Sequence, residues 1–193
     1  MPHRFTPTAL AVLALAGLSA SLPDSATAQT PQTPPPVICQ QEAAYRQFDF
    51  WVGEWEVFGN QNGALAGRNH IEARHGGCVL VERWESNGGG GGMSMNYYDG
   101  TTGLWRQVWV SVNYNIDIQG GLDDQGRMVL EGEIHTYPRG GRSLPFRGTW
   151  TPQADGNVRQ LFEQQDPSTG AWQVWFDGRY EPRGGQVASG ARP

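Results

Sequence analysis

The sequence predicts an all-β protein, an antiparallel up-and-down β-barrel of about ten strands behind a short N-terminal helix. Three observations carry this. Turn-forming clusters recur at spacings of about eight to twelve residues through most of the chain. The segments between them alternate apolar and polar side chains with the two-residue period of a half-buried strand, and helix periodicity is absent there. Every connection is short, so each strand is expected to pair with its predecessor. A Greek-key sandwich, the structural alternative, needs a long crossover, and the longest irregular run is Gly88–Gly92.

Taken in order, the chain opens on a positive start, Met1-Pro2-His3-Arg4, followed by the apolar run Ala9–Ala16, too short to cross a bilayer. With Ala26-Thr27-Ala28 as a peptidase site, residues 1–28 read as a signal peptide, cleaved after Ala28 to leave Gln29 first. A lipid anchor on Cys39 is disfavoured because Pro36-Val37-Ile38 has no small residue before the cysteine. Residues 29–38 form a Pro-rich tether that prefers extended, solvated backbone. Gln40–Phe48 offers one or two helical turns. Strands are then expected at 50–58, 67–74, 78–86, 93–98, 104–112, 115–120, 128–135, 145–151, 158–164 and 172–180. Their clearest turns are 98–103, 123–126, 153–157 and 166–170, rich in Gly, Asp, Asn and Ser. One barrel domain spans 39–182, and the Gly-rich tail 183–193 is expected to be disordered.

Composition narrows the function. The formal net charge is −5, all basic side chains are Arg, and Arg and Glu interleave, as in Glu72-Ala73-Arg74. No clustered positive surface is available for phosphates, so a nucleic-acid partner is not expected. Without Lys there is neither a Schiff base nor a P-loop. After the leader no apolar stretch nears the ~20 residues of a membrane helix. Export places Cys39 and Cys78 in an oxidising compartment, where one disulfide is the default. The localisation read from this is periplasmic or extracellular.

The block Phe48-Asp49-Phe50-Trp51-Val52-Gly53-Glu54-Trp55 carries a Gly-x-Trp element at the start of the first strand. It resembles the signature of the lipocalins and other calycins. Together with Gly-Gly-Cys-Val-Leu at 76–80, Trp-Arg-Gln-Val-Trp-Val at 105–110 and Phe-Asp-Gly-Arg-Tyr at 176–180, it is similar to a family of small bacterial proteins with a lipocalin-like domain of unknown function. The resemblance implies that Trp55 seals one barrel end beneath Arg179 of the last strand, a cation–π contact. It departs from the lipocalin pattern in lacking a Thr-Asp-Tyr block and in having more than the usual eight strands or so. A haem-binding relative would need a C-terminal His ligand, but no His follows His135, and no cofactor is expected.

Alternation places Glu82 and Trp84, Asn96 and Tyr98, Gln107 and Trp109, and Gln160 and Phe162 on matching strand faces. Rings mixed with single polar groups are how ligand cavities are lined, and ten strands enclose more space than side chains fill. These eight residues form the expected ligand site; the bland alternative is a packed core with its amides paired or watered. Glu82 is the single candidate acid–base group, with an ion pair to Arg159 or Arg147 as its ordinary fate. A metal at His70, Glu72 and His75 lacks a further strong ligand. Ser94 lacks the second Gly of a nucleophile elbow, and no helix follows it. The glycine run reads as a hairpin tip, with a lid as the lesser alternative. The leading function is binding of a small, largely apolar or aromatic molecule. The others are a small isomerase, cyclase or lyase using Glu82, and an envelope interaction module without ligand.

Overall fold

The structure, a computed structural model, describes residues 37–137 and 140–185. The expected leader, residues 29–36 of the tether, and the tail from 186 onward lie outside the described residues. Ten antiparallel strands close on themselves: β1 (Gly53–Gly59), β2 (Leu65–Arg74), β3 (Val79–Ser86), β4 (Gly91–Asp99), β5 (Leu104–Ser111), β6 (Tyr114–Leu122), β7 (Met128–Thr136), β8 (Ser143–Pro152), β9 (Val158–Gln165) and β10 (Trp172–Pro182). Each pairs with its chain neighbours, and β1 with β10 completes the barrel through Trp55↔Pro182 to Gly59↔Gly178. Closure leaves no strand edge unpaired. The expected order and number of strands are thus found, with end points shifted by up to a few residues.

The turns form for local reasons. At the β9–β10 connection the Asp166 carboxylate accepts the backbone N–H groups of Ser168 and Thr169 at 2.8 and 3.1 Å, and Gly170 takes the left-handed φ of +69° that closes the turn. The Ser168 hydroxyl, which donates to the same carboxylate, and these backbone hydrogen bonds hold the Asp166 carboxyl down at about 2. Outward-facing positions carry the ion pairs Arg106–Asp117, Arg147–Glu163 and Arg159–Asp177, at 2.7–2.8 Å. No described helix is long and apolar enough to cross a membrane.

The helix expected over Gln40–Phe48 is broken into a single turn, α1 (Ile38–Gln41), and 3-10 turns at Ala43–Arg46 and Asp49–Trp51. Glu42 is extended between the first two, which lets the chain bend across one barrel end. Cys39 and Cys78 form a disulfide with Cα atoms 5.0 Å apart, tying this segment to the foot of β3. Phe48 and Trp51 stack with ring centres 5.0 Å apart and pack on Trp150, all three fully buried. This aromatic plug closes the barrel at the end where β1 begins.

The expected Trp55–Arg179 seal is not there. Trp55 is buried, donates its Nε1–H to the Trp51 carbonyl at 2.9 Å, and meets the Tyr180 ring edge-on with centres 6.0 Å apart. Arg179 points outward, over the Phe58 ring at 5.8 Å and against Glu181 at 2.6 Å. The cause is parity: Tyr180 faces inward on β10, so its neighbour must face solvent.

Candidate functional site

Above the plug the barrel holds a cavity of about 240 Å³ that opens at the other end. Five of the eight expected residues line it, namely Glu82, Trp84, Trp109, Gln160 and Phe162. Tyr98 does not: it lies at the closed end, edge-on to Tyr45 at 5.0 Å and near Trp105 at 6.3 Å. Asn96 and Gln107 face inward and are fully buried but do not line it; they belong to the hydrogen-bonded chain that leads to Glu82.

The wall depends on glycines as much as on rings. A Cβ on Gly92 would run into the Trp109 ring and the Val110 carbonyl, and one on Gly67 would meet the Trp84 ring and the Glu85 carbonyl. Each ring therefore lies close against backbone of the adjacent strand, which only glycine permits. A register shift between Val174 and Phe176 on β10 breaks the alternation there. As a result Trp175 and Phe176 both reach the cavity, with Trp175 edge-on to Tyr114 at 5.3 Å and to Phe146 at 5.6 Å.

The polar floor is continuous. Gln107 Nε2 donates to Asn96 Oδ1 at 2.8 Å, Asn96 Nδ2 to Ser94 Oγ at 2.8 Å, and Ser94 Oγ to Glu82 Oε2 at 2.6 Å. From the other side Asn69 Nδ2 donates to Glu82 Oε1 at 2.7 Å and to the Tyr180 hydroxyl at 3.1 Å. Tyr180 in turn donates to Gln160 Oε1. Each oxygen of Glu82 thus accepts one neutral donor, and among the described residues no ion pair reaches it. The expected pairing with Arg159 or Arg147 fails because both face outward on their strands, to Asp177 and Glu163. Burial pushes the Glu82 carboxyl up to about 7, partly offset by the hydrogen bonds from Ser94 and Asn69. Burial and the neighbouring Glu82 push the Tyr180 phenol well above its ordinary value.

Sequence reasoning missed Asn69, Tyr114, Ile116, Trp175, Phe176 and Tyr180. All but Trp175 follow from extending the same alternation to β2, β6 and β10; Trp175 required the bulge. Among the described residues no group of three or more His, Cys, Asp or Glu side chains is placed to hold a metal ion. Glu72, on the outer face of β2, is taken by Arg74 and Arg83, each at 2.6 Å. Gly88–Gly90 belong to the β3–β4 turn at the open end, and Gly91 and Gly92 begin β4.

No protein-family model matches this chain, and no match is found among curated proteins. The fold and the site therefore define a class by geometry alone: a closed ten-stranded up-and-down barrel, plugged at one end and hollow at the other.

Proposed function

We propose that this is an exported, calycin-like binding protein whose cavity takes a small, largely apolar or aromatic molecule oriented by Glu82 and Gln160. One observation carries the reading: a cavity of about 240 Å³ walled by aromatic rings, with a single carboxyl at its floor. Apolar walls with few polar groups are what small-molecule sites share. Against ~30 Å³ for a water in the liquid, that volume suits a ligand of roughly eight to ten non-hydrogen atoms. The Cys39–Cys78 disulfide fits a compartment outside the cytoplasm.

Titrating the full chain with a panel of small apolar and aromatic compounds should blue-shift or quench tryptophan emission as Trp84 and Trp109 are covered. Trp109→Ala should weaken the tightest binder by about 1–3 kcal/mol. If no compound changes the emission and Trp109→Ala instead costs about 3–5 kcal/mol of stability, the barrel is simply packed. A second reading, a small isomerase, cyclase or lyase, draws on the Glu82 carboxyl held near neutrality, the property a general acid–base group needs. It requires that Glu82→Gln abolish turnover of a compound that the barrel binds.

A further inference from the structure

The charge balance of the cavity says more about its occupant than the shape does. Of the residues that line it, Glu82 is the one carboxyl, and none is basic. The described Arg–carboxylate pairs all lie elsewhere, and the groups packed against Glu82 are Asn69 on β2, Ser94 on β4 and, through Asn69, Tyr180 on β10. The remaining ionisable neighbours are the phenols of Tyr114 and Tyr180, both raised by burial and so neutral. A buried carboxylate left to two neutral donors is electrostatically incomplete.

The rings add to the same field. Trp84, Trp109, Tyr114, Phe162, Trp175 and Phe176 stand around the space in front of Glu82. Their faces carry the negative lobe of the aromatic quadrupole, which attracts cations and repels anions.

We propose that the occupant is a small organic ammonium ion, a primary or secondary amine on an aromatic or branched apolar body, with its N–H groups on Glu82 and its body among the rings. The assignment rests on the reading of the cavity as a binding site and adds the charge of the ligand. The site would then work as an ion pair formed inside the barrel, where charge-assisted hydrogen bonds are strongest. Binding is linked to protons. An ammonium ion holds Glu82 ionised, so near pH 7 its arrival should expel on the order of half a proton.

The test compares probes of one shape and three charges, phenethylammonium, 2-phenylethanol and 3-phenylpropanoate, titrated calorimetrically into the full chain at pH 8 and pH 5.5. Phenethylammonium is expected to bind roughly tenfold or more tighter than the alcohol at pH 8, with the carboxylate weakest. At pH 5.5, with Glu82 protonated, that preference should shrink severalfold. At pH 7 the heat should depend on the buffer's ionisation enthalpy in the sense of proton release. Glu82→Gln should lose the preference of the ammonium over the alcohol at pH 8 and its dependence on pH. The unmodified chain alone suffices should that variant not fold. Equal binding of ammonium and alcohol at pH 8, or tightest binding of the carboxylate, overturns the amine assignment and leaves the binding cavity standing. Failure of all three probes overturns both.

Discussion

Replacing Glu82 by Gln isolates the cost of keeping a carboxyl inside the barrel. Folded, the group protonates near 7; unfolded, it returns to the ordinary 4.5. Between those two values the folded chain holds the proton and the unfolded chain does not, so stability falls as pH rises through that window. At 1.36 kcal/mol per pH unit the loss amounts to about 3 kcal/mol by pH 8. Gln is a close mimic of the protonated acid: its carbonyl accepts from Asn69 and its amide faces Ser94, so the local hydrogen-bond losses are nearly the same for both. The variant should therefore match the parent within about 1 kcal/mol at pH 4.5 and exceed it by roughly 3 kcal/mol at pH 8. Urea unfolding followed by tryptophan emission at several pH values between 4 and 8 measures this, and the outward ion pairs cancel in the difference because they are distant and unchanged. A difference that stays flat across the range would refute the reasoning, since it would mean that Glu82 titrates as it does in the unfolded chain.

Other perturbations probe the wall, the plug and the seal. Gly92→Ala forces a methyl into the Trp109 ring and the Val110 carbonyl, and should cost about 1–3 kcal/mol of stability while shifting tryptophan emission; an unchanged spectrum would show that the ring does not lie on this glycine. Alkylation of the denatured, non-reduced protein should find no free thiol, and the double variant Cys39→Ser, Cys78→Ser should lose up to about 4 kcal/mol for a sequence separation of 39 residues. Arg179→Lys should change stability by less than about 0.5 kcal/mol, because the guanidinium is half exposed and pairs only at the surface. A loss of 1 kcal/mol or more would place it back under Trp55.

What was legible in the sequence is what alternation and turn chemistry determine. Each strand can be placed because Gly, Asp and Asn mark its ends, and each inward residue because its neighbours two positions away are also inward. Glu82, Trp109 and Gln160 reach the cavity for that reason. The bulge at β10 was not legible, since Val174-Trp175-Phe176 reads as regular strand and only the pairing with β9 shows the extra residue. Nor was the plug: the sequence places Phe48 at the end of a helix and Trp51 in the first strand, and the barrel end that they fill exists only after closure. The Arg179 seal came from resemblance, and the parity of Tyr180 alone argues against it.

The polar floor shows how one sequence choice serves both packing and chemistry. Asn69, Ser94, Asn96 and Gln107 occupy inward positions where Val or Leu would give a drier and cheaper core. The chain from Gln107 through Asn96 and Ser94 runs donor to acceptor toward Glu82, so the network is polarised in favour of the carboxylate. Burial opposes it and holds the group near its midpoint at neutral pH. A core selected only for stability has no use for that balance, because apolar residues at position 82 and at its partners' positions would remove the desolvation cost together with the need for those partners. The balance has a use where something entering the cavity completes the charge: the occupant then recovers free energy that folding left unspent, and the site discriminates by charge as well as by shape.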